Sequence, residues 1–154
     1  MAIDGARTLR GALAGALAAG AWAAVQPLDK RAFGSRYDDV ELLGRMVRPH
    51  GRGAYPIGLA MHLGNGAMFG AAYATVAPRL PLPGGAPRGV LVAMAENFGL
   101  WPLGRLSDRF HPARRQLPRL TGNRRAFWQA AWRHLLFGAV LGEAERRLNG
   151  RRGA

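Results

Sequence analysis

The chain has no cysteine, which excludes disulfides, thiolate metal ligands and a cysteine nucleophile. Carboxylates are scarce. Nine Asp and Glu stand against twenty-two Lys and Arg, and nearly every basic residue is Arg. Catalytic signatures are missing too: the sequence carries no Ser/His/Asp set, no His-Glu-x-x-His, no Gly-rich phosphate loop and no paired acidic metal motif. Hydrolytic or transfer chemistry fits poorly, so neither an enzyme nor a metal site is expected. The loop carboxylates Asp29, Asp38, Asp39, Glu41 and Asp108 are the residual candidates for holding a divalent ion against lipid headgroups. Balancing neighbouring Arg is their plainer role.

Charge is also missing where it would be most informative. From Tyr55 to Pro78 the chain passes twenty-four residues without Lys, Arg, Asp or Glu. At ~1.5 Å per residue this is ~36 Å of helix, enough to cross a ~30 Å hydrocarbon layer. Pro56 suits a first turn, Pro78 a stop, and Tyr55 and Tyr73 lie toward opposite ends like an aromatic belt. Three further low-charge blocks follow the same logic. Spans are expected at about 8–28, 55–78, 87–106 and 125–145, the second stronger than the first because Ala gains little from leaving water. For the first block the rival reading is a cleaved signal peptide, with Ala21-Trp-Ala23 as its small-residue site.

The net charge of +13 raises nucleic acid as a partner. The distribution argues against it. Arg clusters between the apolar blocks and is nearly absent within them, as in membrane loops that touch anionic headgroups. Lipid is therefore the expected partner and nucleic acid is not; association with further copies of the chain is a second possibility. Between the first two blocks, 37–48 has a helical pattern, with Val40, Leu43 and Val47 on one face and Ser35, Asp38 and Asp39 as capping oxygens. It reads either as an amphipathic helix at the headgroup boundary or as a solvated loop helix.

Two parts of the chain repeat. His62-Leu-x-x-Gly66-x-x-x-Gly70 recurs as His134-Leu-x-x-Gly138-x-x-x-Gly142. Arg10-Gly11 matches Arg88-Gly89, and Trp22 with Asp29-Lys30 matches Trp101 with Asp108-Arg109. The three ordered matches predict a duplicated two-helix unit. The expected fold is all-α: a four-helix transmembrane bundle built from two similar helical hairpins. Both large loops then share one face, with thirteen Lys and Arg against eight on the other, which places the large loops in the cytoplasm.

Gly11 and Gly15, Gly66 and Gly70, and Gly138 and Gly142 are each four apart. That spacing lets helix backbones approach closely in lipid. The intramembrane polar residues are His62, Asn65, Glu96, Asn97, Arg133 and His134. A lone charge at mid-bilayer costs at least ~2.5–3.5 kcal/mol, so these groups should find one another. The expectation is a Glu96–Arg133 ion pair with the two His and two Asn hydrogen-bonded nearby. Three roles compete for the cluster: fixing helix order and register, a proton or small-solute path, and bis-histidine ligation of haem.

The Ala/Gly-rich first block ending in Gln26-Pro-Leu-Asp-Lys30, the run from His62 to Tyr73 and the second copy at His134-Leu-Leu-Phe-Gly138 together resemble the small four-span bacterial inner-membrane proteins of uncharacterised function, the YagU-like kind among them. The resemblance covers about residues 8–148. It implies a multi-pass protein of the bacterial inner (plasma) membrane with a structural or envelope-stress-related role, and it carries over no catalytic residues.

Overall fold

The computed structural model describes residues 4–150. Every regular element among them is helical: α1 (Gly5–Phe33), α2 (Asp39–Val47), α3 (Ala54–Val76), α4 (Ala86–Leu100), α5 (Gly104–Phe110) and α6 (Arg124–Asn149), with single 3₁₀ turns following α3 and α4.

Local chemistry sets the ends. The Asp4 carboxylate caps α1 by accepting from the Arg7 N–H at 3.1 Å. At the other end Gly34 takes a left-handed φ of 57° that turns the chain out of the helix, above the basic last turn of Lys30 and Arg31. The helix continues through Pro27 to Phe33, past the charge at Asp29 where the expected span stopped. Asp38 and Asn123 cap α2 and α6 in the same way as Asp4. The third expected span, 87–106, is not one helix. α4 ends at Leu100, a 3₁₀ turn holds Pro102, and α5 begins at Gly104. The fifteen residues of α4 reach ~22 Å, short of a hydrocarbon layer on their own.

α1 is the helix, among the described residues, that is both long and apolar enough to cross a membrane, and it lies near the N-terminus. α3 has no charge, but His62, Asn65 and its glycines dilute its apolarity.

α1 runs antiparallel to α3 and to α6, α4 runs antiparallel to α6, and α2 packs on α3. The seams are made of backbone. A Cβ added at Gly15 or Gly11 would strike the Gly66 or Gly70 carbonyl, and one at Gly89 the Gly138 carbonyl. Gly44 and Gly58 dock α2 on α3 equally closely. The helical part of the 37–48 segment is α2, whose Val40 and Gly44 are buried against α3 while Met46 and Val47 are exposed.

Side-chain size is sorted unusually. The buried apolar residues are mostly Ala, with Trp22, Tyr73, Phe137 and Leu141 among the few large ones. Buried beside them are Gln26, Asp29, His62, Asn97, Gln129, Arg133 and Glu145. Large apolar side chains face out instead: Leu9, Leu13 and Leu17 on α1, Met68 on α3, Leu91 and Phe98 on α4, Trp128, Trp132 and Leu135 on α6.

Candidate functional site

Two polar regions meet where α1, α2, α3, α4 and α6 converge. The first is centred on Arg133, which is fully buried. Its guanidinium grips Asp29 through Nε (2.5 Å) and Nη2 (2.6 Å), in the two-pronged geometry that suits a carboxylate. Its Nη1 donates to Asp39 at 2.8 Å, and Nη2 also reaches the Tyr37 carbonyl at 3.3 Å. Gln129, one turn earlier on α6, donates to Asp29 at 2.7 Å. The Trp22 indole N–H donates to Asp39 at 3.1 Å, and the Tyr37 hydroxyl donates to the same carboxylate. Asp38 is held by Lys30 and by the Gln26 amide at 3.1 Å, while capping Glu41 of α2 at 2.8 Å. Burial, followed by the charge of Asp39 and the hydrogen bond to it, pushes the Tyr37 phenol well above its ordinary value.

The expected Glu96–Arg133 pair is not formed. Arg133 and His134 are neighbours in sequence and so point about 100° apart around α6. Arg133 faces α1 and the loop before α2. His134 faces α4, where its Nε2 lies 3.9 Å from Glu96 and its Nδ1 bonds the Ala130 carbonyl at 2.8 Å.

The second region is a cavity of about 240 Å³. α3 supplies His62, Asn65 and Phe69, α4 supplies Glu96, and α6 supplies His134 and Phe137. Trp22 of α1 and Leu42 and Leu43 of α2 complete the wall. α3 and α4 are not packed as neighbours, and the cavity occupies the gap between them. Asn65 is exposed and the Glu96 side chain is a third exposed at its mouth. His62 Nε2 is buried with no hydrogen-bond partner among the described residues. The Trp22 ring packs edgewise on His62 at 5.3 Å and on His134 at 4.7 Å.

Of the six residues expected to cluster, four line this cavity: His62, Asn65, Glu96 and His134. Arg133 belongs to the neighbouring knot. Asn97 is buried off the cavity wall, and its Nδ2 has no partner among the described residues. Sequence reasoning missed Asp29, Asp39 and Tyr37 as partners of Arg133, and Gln129 as a second donor to Asp29. One signal was present: Gly11, Gly15, Ala18, Trp22, Gln26 and Asp29 are spaced as a single buried helical stripe, which carries Asp29 into the bundle. No family model, curated protein or solved structure matches this chain.

Proposed function

We propose that the chain is an integral protein of the bacterial inner membrane, with a cavity between α3 and α4 that takes a proton or small solute. The single observation that carries the membrane reading is the sorting of side chains by size. Ala, Gly and hydrogen-bonded polar groups fill the interior, while Leu, Phe and Trp face out from four helices. In water that arrangement leaves large apolar patches exposed. In lipid it is the favourable one, because helices associate there through small residues and internal polar bonds.

A bundle of two similar hairpins is the matching architecture. Gly11 abuts Gly70 as Gly89 abuts Gly142, and this likeness between the α1–α3 and α4–α6 contacts supports the reading. α4 with its 3₁₀ turn and α5 corresponds to α1, broken at Pro102 where α1 continues through Pro27. Membrane fractionation with an alkaline carbonate wash tests integration: the protein stays in the pellet, and release into the wash overturns the reading.

Conduction is favoured by the cavity. Glu96 and His62 keep unused hydrogen-bonding capacity there, whereas every cation and carboxylate of the Arg133 knot is committed. A purely structural, envelope-stress-related role is the second reading, favoured by that knot. Haem is less well supported, since Trp22 packs on both imidazoles and His134 turns Nε2 toward Glu96. Glu96→Gln protein in liposomes should fold normally and lose proton or solute flux; normal flux leaves the structural role.

A further inference from the structure

We infer that the cavity is a site for a small organic cation, an ammonium group carried on an apolar or aromatic body. The inference rests on the reading of this cavity as a solute site and names the solute's class. Four observations converge. First, the chain is strongly basic, yet no Lys or Arg lines the cavity among the described residues. Second, the Glu96 carboxylate points into it with only the His134 imidazole, 3.9 Å away, beside it, while Asp39 at its edge is already bound by Arg133, Trp22 and Tyr37. Third, His62, 8% exposed, has an unpartnered Nε2 on the same wall. A neutral imidazole nitrogen accepts a hydrogen bond, and an ammonium has donors for both Glu96 and His62. Fourth, Trp22, Phe69 and Phe137 line the cavity together with Leu42 and Leu43, and aromatic rings attract organic cations while the apolar wall buries their carbon skeleton.

The chemistry narrows further. No group of three or more His, Asp or Glu among the described residues is arranged to hold a metal ion, and the aromatic side chains on the wall suit the carbon body of an organic cation. A cavity of about 150 Å³ admits a benzene ring, and this one, at about 240 Å³, has room for a ring with a short polar head.

The test is isothermal titration of the full chain in detergent with three probes of one size: benzylamine, benzyl alcohol and benzoate, near neutral pH. Benzylamine should bind at least about tenfold more tightly than the other two. Glu96→Gln should reduce it to the level of benzyl alcohol, and Phe69→Leu should weaken it while leaving the preference for the amine. Equal binding of the three probes to the wild-type protein overturns the proposal and requires no variant. So does undiminished benzylamine binding by Glu96→Gln protein that retains wild-type helix content. Binding in micelles does not depend on flux or membrane integration, so failure here is distinguishable from failure of the liposome and carbonate experiments.

Discussion

The Arg133 knot and the Glu96 cavity share a wall, yet they solve opposite problems. In the knot two cations, Arg133 and Lys30, face three carboxylates, Asp29, Asp38 and Asp39, and the hydrogen bonds among them tie α1, α6 and the start of α2 together. In the cavity a carboxylate and an imidazole nitrogen are left with little or nothing to bind. Buried polar groups normally find partners because an unmade bond costs ~1–3 kcal/mol. A fold that pairs every charge of one cluster, leaving only the Gln129 Oε1 unbonded there, and leaves a carboxylate open in its neighbour separates scaffold from site.

The largest effect should come from breaking the scaffold. Arg133→Leu strands Asp29 and Asp39 without their cation, which costs ~3–5 kcal/mol and should abolish recovery of monodisperse protein. Arg133→Lys should rescue little, because one ammonium does not match the two-pronged grip on Asp29. Adding Asp29→Leu and Asp39→Asn to Arg133→Leu should recover folded protein, since no unpaired charge then remains. If Arg133→Leu melts within a degree of wild type, the knot is not structural and the contrast fails.

Next in size are the glycine seams, which test whether the scaffold is equally intolerant where it is apolar. Gly15→Leu places a side chain against the Gly66 carbonyl and should cost ~1–3 kcal/mol or more through separation of α1 from α3. Gly64 is the control, because a Cβ there meets open space. Gly64→Ala should be neutral or stabilise α3 by up to ~1 kcal/mol. Thermal unfolding in detergent reads both.

The cavity should behave differently. Glu96→Gln removes no close partner, so stability should change by less than ~0.5 kcal/mol, whereas flux and amine binding are lost. Tyr37 distinguishes the regions by pH. Its phenol donates to Asp39, and its folded-state value is raised, so the folded state holds the proton more tightly than the unfolded chain. The resulting stability is complete below the ordinary value of 10.0 and is lost as pH rises through the raised value. Tyr37→Phe should cost ~1 kcal/mol near neutrality and remove this alkaline component of the unfolding curve.

How much of this was legible in the sequence depends on which rule was at work. Helix positions followed from charge-free blocks and caps, and the glycine contacts followed from their spacing of four. Four of the six polar residues converge because His62, Asn65, Glu96 and His134 each lie on an inward or mouth-facing side of their helix. Pairing was misread for a specific reason. Depth along the helix was matched for Glu96 and Arg133, but rotation about it was not, and one residue's step turned Arg133 away from α4. Treating Asp29 as the start of a loop concealed its true partner, although the stripe from Gly11 through Trp22 and Gln26 runs directly to it. The break after Leu100 was marked by Pro102. α5 was hidden because its Arg-rich sequence resembles the loop around it.

The smallest effect should come from Asp108, which the proposed repeat pairs with Asp29, and it sharpens the comparison. Asp29 is buried and bound to Arg133, whereas Asp108 sits half-buried after the break at Pro102 and accepts from the Leu120 and Thr121 N–H groups, both at 2.8 Å. Desolvation raises its carboxyl, but the hydrogen bonds from Thr121 and Leu120 together outweigh it and hold the group below the ordinary 3.8. A lowered folded-state value means that this corner contributes stability above that pH and loses it as pH falls through the lower value. With solvent screening the contribution is below ~1 kcal/mol. Asp108→Asn should therefore leave the melting temperature nearly unchanged at neutral pH and remove only a shallow acid component below about pH 4. The same change at Asp29 leaves Arg133 buried without its principal carboxylate and should prevent folding. If the two variants behave alike, the two carboxylates share one role; their geometry, one bound to the buried Arg133 and the other to backbone N–H groups, predicts two.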